Sequence, residues 1–89
     1  MARVKILYRL LPDDAEVGVE VMEKGIEELA VEQGFEVLDT RVEEVAFGIK
    51  ALKILLSMEE REGILDEVER GIANVENVGS MEAVRVTRF

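Results

Sequence analysis

Eighty-nine residues, 48% hydrophobic and 35% charged, suffice for one compact domain around a single core and are too few for two. With neither cysteine nor histidine, the chain excludes a disulfide framework, a thiolate zinc site and the commonest general base. A formal net charge of −9 opposes general nucleic-acid binding, which draws its affinity from Lys and Arg on phosphates.

Charges interrupt the short apolar run at the start, Met1 to Ile6, which fits neither a signal peptide nor a membrane span, so a cytoplasmic location with no membrane partner is expected. From Arg3 to Leu11 the parity of Val4, Ile6, Tyr8 and Leu10 against Arg3, Lys5 and Arg9 predicts a half-buried strand. Pro12-Asp13-Asp14 ends it. Gly18 is a permissive N-cap for a helix from Val19 to about Gln33, whose apolar positions Val19, Met22, Ile26, Leu29 and Ala30 keep the 3.6-residue spacing. Glu20, Glu23, Glu27 and Glu28 line its other side, and Gly34 stands where a left-handed C′ residue belongs.

Phe35 to Glu43 alternates Val37, Asp39 and Arg41 against Leu38, Thr40 and Val42, a second strand with one wet face. Phe47 to Met58 reads as a third and central strand, with Leu52, Ile54, Leu56 and Met58 on one parity. Gly48 and Lys50 share that parity, which leaves the register of its beginning open to a bulge. After the charged connection Met58 to Gly63, Leu65, Val68 and Ile72 mark the buried stripe of a shorter helix ending near Asn74. Ser80 to Thr87 closes the chain as a strand, Val84 and Val86 lying opposite Met81, Ala83 and Arg85.

The order strand, helix, strand, strand, helix, strand predicts an α+β ferredoxin-like split βαβ fold (βαββαβ), a four-stranded antiparallel sheet with two helices on one face, formed by residues 1–89 as a single domain. Arg3, Lys5, Arg9, Arg41, Lys50, Lys53, Arg85 and Arg88 fall on or at the ends of strands, whereas Glu dominates the helices. An acidic helical layer and a more basic open sheet face are expected, either as a functional polarity or as ordinary solvated faces.

Catalytic chemistry finds few supports. The carboxylate pairs Asp13-Asp14, Glu43-Glu44 and Glu59-Glu60 adjoin turns or charged loops rather than a desolvated pocket, and Ser57 and Ser80 have no histidine to activate them. No P-loop or dinucleotide glycine pattern is present, and Met58 to Gly63 only crudely approximates a calcium loop. No catalytic residue, cofactor or metal is therefore expected. An RNA-binding sheet of the same fold would need aromatic side chains on its open face, and Tyr8 shares the inward parity of Val4 and Ile6. A small-molecule regulatory module of this fold stays open, because fold does not fix function.

Two features stand apart from the core pattern. Phe47 lies beside Gly48 just after Glu43-Glu44, either projecting from a turn or closing the edge of the core. The tail Arg85-Val86-Thr87-Arg88-Phe89 ends in a cation beside a terminal aromatic, either functional or simply frayed.

Val45-Ala46-Phe47-Gly48-Ile49-Lys50-Ala51-Leu52-Lys53-Ile54 resembles the proline-isoleucine-alanine-phenylalanine-glycine-leucine segment of the archaeal elongation factor 1-beta family and the related glycine-isoleucine-lysine-lysine-leucine stretch of its eukaryotic exchange domains. Val78-Gly79-Ser80-Met81-Glu82-Ala83-Val84 is similar to that family's glutamine-serine-aspartate segment, and the likeness covers essentially the whole chain. Glu44 stands where the family often has proline, Gly79 where glutamine is usual, and Arg88 where eukaryotic members have lysine. The resemblance implies a guanine-nucleotide exchange factor for the GTPase elongation factor 1-alpha, with no covalent chemistry and no direct nucleic-acid partner. It further implies that Phe47, with Gly48, wedges into a hydrophobic pocket of the GTPase, and that Arg88, with Phe89, reaches toward its magnesium and phosphate site. The alternative left by the residues alone is a ferredoxin-like RNA-binding or small-molecule regulatory module.

Overall fold

Val4, Ile6, Tyr8 and Leu10 are all buried along the first strand, β1 (Arg3–Pro12), and this one strict alternation seats the core of the molecule. The computed structural model describes residues 2–88. After β1 come α1 (Val19–Gln33), β2 (Glu36–Glu44), β3 (Lys50–Glu59), α2 (Ile64–Ala73) and β4 (Val78–Arg88). The four strands form one antiparallel sheet in the order β2-β3-β1-β4. Each helix thus crosses over an intervening strand, the ferredoxin-like α+β arrangement expected from the element order.

Both helices lie on the face that carries the even-numbered residues of β1. Met22 and Ile26 of α1 and Val68 and Ile72 of α2 meet Leu52, Ile54, Leu56 and Met58 of β3 in one cluster with Ile6, Tyr8 and Leu10. Truncating any of these leucines or isoleucines to alanine would cost about 2 to 5 kcal/mol, through lost transfer energy and the cavity left behind. Gly34 ends α1 at φ 79°, its N–H donating to the Ala30 carbonyl at 2.8 Å. In α2 the buried stripe is Ile64, Val68 and Ile72, one residue earlier at its start than the expected Leu65, which is only partly covered. Tyr8 points inward as its parity required, and its hydroxyl donates to Glu69 Oε2 at 2.9 Å, tying β1 to α2.

Strict alternation fails on both edge strands, for one physical reason. In β2, Val37 pairs with Leu56 and Asp39 with the adjacent Leu55, so Leu38 is an extra residue. That bulge puts Val37 on the same face as Thr40 and Val42, where simple parity had grouped it with Asp39 and Arg41. In β4, Ala83 pairs with Tyr8 and Arg85 with the adjacent Leu7, which makes Val84 the extra residue. Val86 therefore shares the helix-facing side with Met81 and Ala83 instead of opposing them. Edge strands tolerate such insertions because one side of each has no ladder to break.

Lys5, Arg9, Arg41, Lys53 and Arg85 lie on the open face, but carboxylates interleave with them. Arg9 and Lys53 both hold Glu43, at 3.0 and 3.1 Å, and Arg41 holds Asp39 at 3.1 Å. The Arg9 hydrogen bond, helped by the one from Lys53, holds the Glu43 carboxyl below the usual range. A shallow depression of about 320 Å³ on this face has a floor of Leu7 and Leu55, and no aromatic side chain lines it. Among the described residues, no helix is long and apolar enough to cross a membrane.

Candidate partner interface

The β2–β3 connection is built to present one side chain. Glu44 and Lys50 form the last ladder pair, beyond which the Val45 N–H donates to the Ile49 carbonyl and the Ile49 N–H to the Ala46 carbonyl, both at 2.9 Å. Phe47 and Gly48, the two central residues of that turn, have φ of 53° and 75°, the arrangement of a type I′ turn. Two left-handed residues match the twist of the strands they join, and glycine enters that region without cost. A bulky aromatic does not: the left-handed conformation costs a residue with a Cβ about 1 to 2 kcal/mol.

Phe47 is fully exposed, at 100% of its reference area, and so receives no packing in return. Val42 and Val45 extend an apolar exposed series along the same end of the hairpin. A cleft of about 460 Å³ runs beside it, between Gly48 and Lys50 and the segment from Ala15 to Val19. The expected third strand therefore begins at Lys50 rather than Phe47. Gly48 belongs to the turn and Lys50 is an exposed strand end, which removes the conflict in parity without a bulge in β3.

Arg88 occupies the other end of the sheet. As the last described residue of β4 it pairs with Val4, and its Nε donates to Glu60 Oε1 at 2.6 Å. That contact fixes a side chain that is otherwise 58% exposed. Phe89, grouped with Arg88 in the sequence reading, lies outside the described residues.

Phe47 and Arg88 are not neighbours. The Glu44–Lys50 and Leu10–Leu52 pairs mark one end of the sheet, and the Arg3–Glu59 and Val4–Arg88 pairs mark the other. At about 3.4 Å per residue, the ten residues of β3 separate the two ends by about 30 Å. The segment Val78 to Val84 starts at the Phe47 end, where Pro12 pairs with Val78 and Leu11 with Ser80. A Cβ at Gly79 would lie 2.9 Å from the Asp13 backbone, so glycine stands here because Pro12 and Asp13 fill the space.

Sequence reading missed Glu60 as the partner of Arg88, because a carboxylate in a charged connection carries no local sign of a contact 28 residues away. The Phe47-Gly48 dipeptide did hold a usable signal. Glycine between two strand patterns marks a turn, which would have moved the start of β3 to its proper place.

A sequence model of the EF-1 guanine nucleotide exchange domain family matches residues 5–89. The chain is 39% identical over 90 residues to elongation factor 1-beta of Thermofilum pendens, covering 100% of this chain and 98% of that protein. It is 42% identical to the Pyrobaculum aerophilum protein of the same name (99% and 96% covered) and 32% identical to that of Methanocaldococcus jannaschii (98% and 98%). Among solved structures, a de novo designed protein, Foldit4, superposes with TM-score 0.56 at 17% identity, over 99% of this chain and 94% of that one. The C-terminal domain of a cyclometallase involved in synthesis of the lactate racemase cofactor gives 0.58 at 11% identity, over 100% of this chain and 58% of that one. At such identities the two structures speak to the fold alone.

Proposed function

The chain belongs to the EF-1 guanine nucleotide exchange domain family and is a guanine-nucleotide exchange factor of translation elongation, and from that premise we propose that it grips its GTPase, elongation factor 1-alpha, at two separate places: Phe47 with Gly48 at one end of the sheet and Arg88 at the other. The observation that carries this reading is Phe47. A wholly exposed aromatic held at positive φ is costly twice over in the free chain, once for backbone strain and once for apolar area left in water. A hydrophobic pocket on a partner removes the second cost and uses the rigidity that comes with the first.

Separation of the two ends sets the kind of partner. No single pocket accommodates side chains about 30 Å apart, so the GTPase must present an apolar pocket and an anionic site at that spacing. Nucleotide is held in a GTPase through phosphate contacts and Mg²⁺, and a protein that prefers the nucleotide-free conformation lowers nucleotide affinity by the same factor that nucleotide lowers its own. Arg88 is suited to the anionic end, because a guanidinium presents several donors to phosphate or carboxylate oxygens. The exchange factor makes and breaks no covalent bond in this scheme and needs no cofactor; it works as one domain in the cytoplasm.

Stimulated release of a fluorescent GDP analogue from elongation factor 1-alpha tests the reading. Acceleration at micromolar concentrations of this chain is expected, and its absence would sink the proposal. Tight, sequence-selective RNA binding at physiological salt would instead favour the basic open face as the working surface.

A further inference from the structure

Arg88 ends β4 with its backbone fixed by the ladder to Val4, while a long side chain of many rotamers extends beyond. One contact selects among those rotamers: Nε donates to Glu60 Oε1 at 2.6 Å. Neither terminal nitrogen makes a hydrogen bond to a described residue, so the two-pronged end of the guanidinium is left to engage something else. Glu60 is itself anchored, since its N–H donates to the Ala2 carbonyl at 3.0 Å. The neighbouring cation does not compete for it, because Arg61 is taken up by Glu67 at 2.6 Å. Beside the pair lies a cleft of about 250 Å³ bounded by Val4, Gly63, Ile64 and Asp66.

We infer that Glu60 is a positioning residue for Arg88: by accepting from Nε it orders the guanidinium before the partner arrives and leaves the two terminal nitrogens to bind an anionic group on the GTPase. The inference rests on the reading of Arg88 as a partner contact. An oriented guanidinium loses less freedom on binding than a free one, so removing Glu60 acts on the exchange step and leaves the fold and the Phe47 end untouched.

The experiment measures GDP release from elongation factor 1-alpha against the concentration of exchange factor for wild type, Arg88→Ala, Glu60→Ala, Glu60→Gln and the double Ala variant. Arg88→Ala is expected to lower the plateau rate; if it exchanges like wild type, the reading of Arg88 fails at its root. With Arg88 shown to matter, Glu60→Ala is expected to lower the plateau about fivefold while shifting the half-saturating concentration by less than about twofold, the size of one exposed charge-assisted contact. Glu60→Gln keeps an oxygen that can accept from Nε and should recover most of the rate. In the Arg88→Ala background Glu60→Ala should add nothing. An unchanged rate in Glu60→Ala, or a full extra loss in the double variant, overturns the inference, as does a faster rate, which would make Glu60 a restraint on Arg88 instead of a guide.

Discussion

The two ends of the sheet present their side chains by opposite means. At the hairpin end, backbone conformation holds Phe47 out: two consecutive left-handed residues and two backbone hydrogen bonds leave the ring no core to enter. At the far end a side-chain contact holds Arg88, through a single hydrogen bond to Glu60 across the β3–α2 connection. A backbone device is indifferent to salt and pH, whereas an exposed ion pair is weak and screened. The apolar end is thus rigid and the cationic end adjustable, a sensible division if the first finds the partner and the second acts on its anionic site.

Removing Phe47 breaks the rigid end most severely. Phe47→Ala should reduce the efficiency of GDP exchange by about 30- to 1,000-fold, as for an aromatic anchor worth about 2 to 4 kcal/mol, with the melting temperature unchanged. Phe47→Gly sharpens the point, since it should slow exchange about as much as Phe47→Ala yet stabilise the fold by about 1 kcal/mol through relief of the left-handed strain. Loss of stability in either variant would show that the ring packs on the chain after all.

Next in size is Tyr8→Phe, which strands Glu69 and should cost about 1 to 2 kcal/mol of unfolding free energy in denaturant titration. Burial, with help from the Glu69 contact, pushes the Tyr8 hydroxyl well above the ordinary tyrosine range. A group whose pKa is raised on folding contributes stability that is complete below its unfolded pKa and lost as pH rises. Wild type should therefore weaken above about pH 10, and Tyr8→Phe should lack that part of the loss. Amide exchange in the variant should quicken in α2 before the hairpin, because Glu69 lies on that helix.

Salt probes the contrast more gently. Raising ionic strength to about 0.5 M shortens the screening length to about 4 Å, so the difference between wild type and Arg88→Ala should shrink while the Phe47→Ala defect persists. If both defects shrink alike, the two ends do not differ in kind. Smallest is Glu43→Gln, near the hairpin end. Glu43 is held ionised by Arg9 and Lys53, so its contribution is present above the ordinary glutamate range and lost as pH falls through its lowered value. The variant should show a flatter acid limb in thermal melts and unchanged exchange.

How far the fold was legible depends on where a strand sits in the sheet. β1 and β3 are central, and the buried even-numbered apolar residues from Val4 to Leu10 and Leu52 to Met58 marked their helix-facing side, although the parity of Gly48 and Lys50 left the start of β3 open until the turn was seen. Alternation misassigned faces on β2 and β4, because Leu38 and Val84 are bulges and no local residue type announces a bulge on an edge. The family segment around Phe47 was readable as a motif, but its conformation was not. Phe47 could equally have closed the core until its φ and exposure were known.

What the sequence determined by itself is everything carried by short-range periodicity and composition: six elements in order, the capping glycine at Gly34, the inward Tyr8, the absence of cysteine and histidine chemistry, and the segments that mark the family. Tertiary structure alone decided what depends on distance through space. It separated Phe47 from Arg88 by the length of the sheet, closed the Pro12–Asp13 backbone onto Gly79 and brought Glu60 to Arg88. Periodicity fixes which face a residue shares with its near neighbours, whereas strand order and register fix which distant residues meet, and both the Glu60–Arg88 contact and the separation of Phe47 from Arg88 depend on the second.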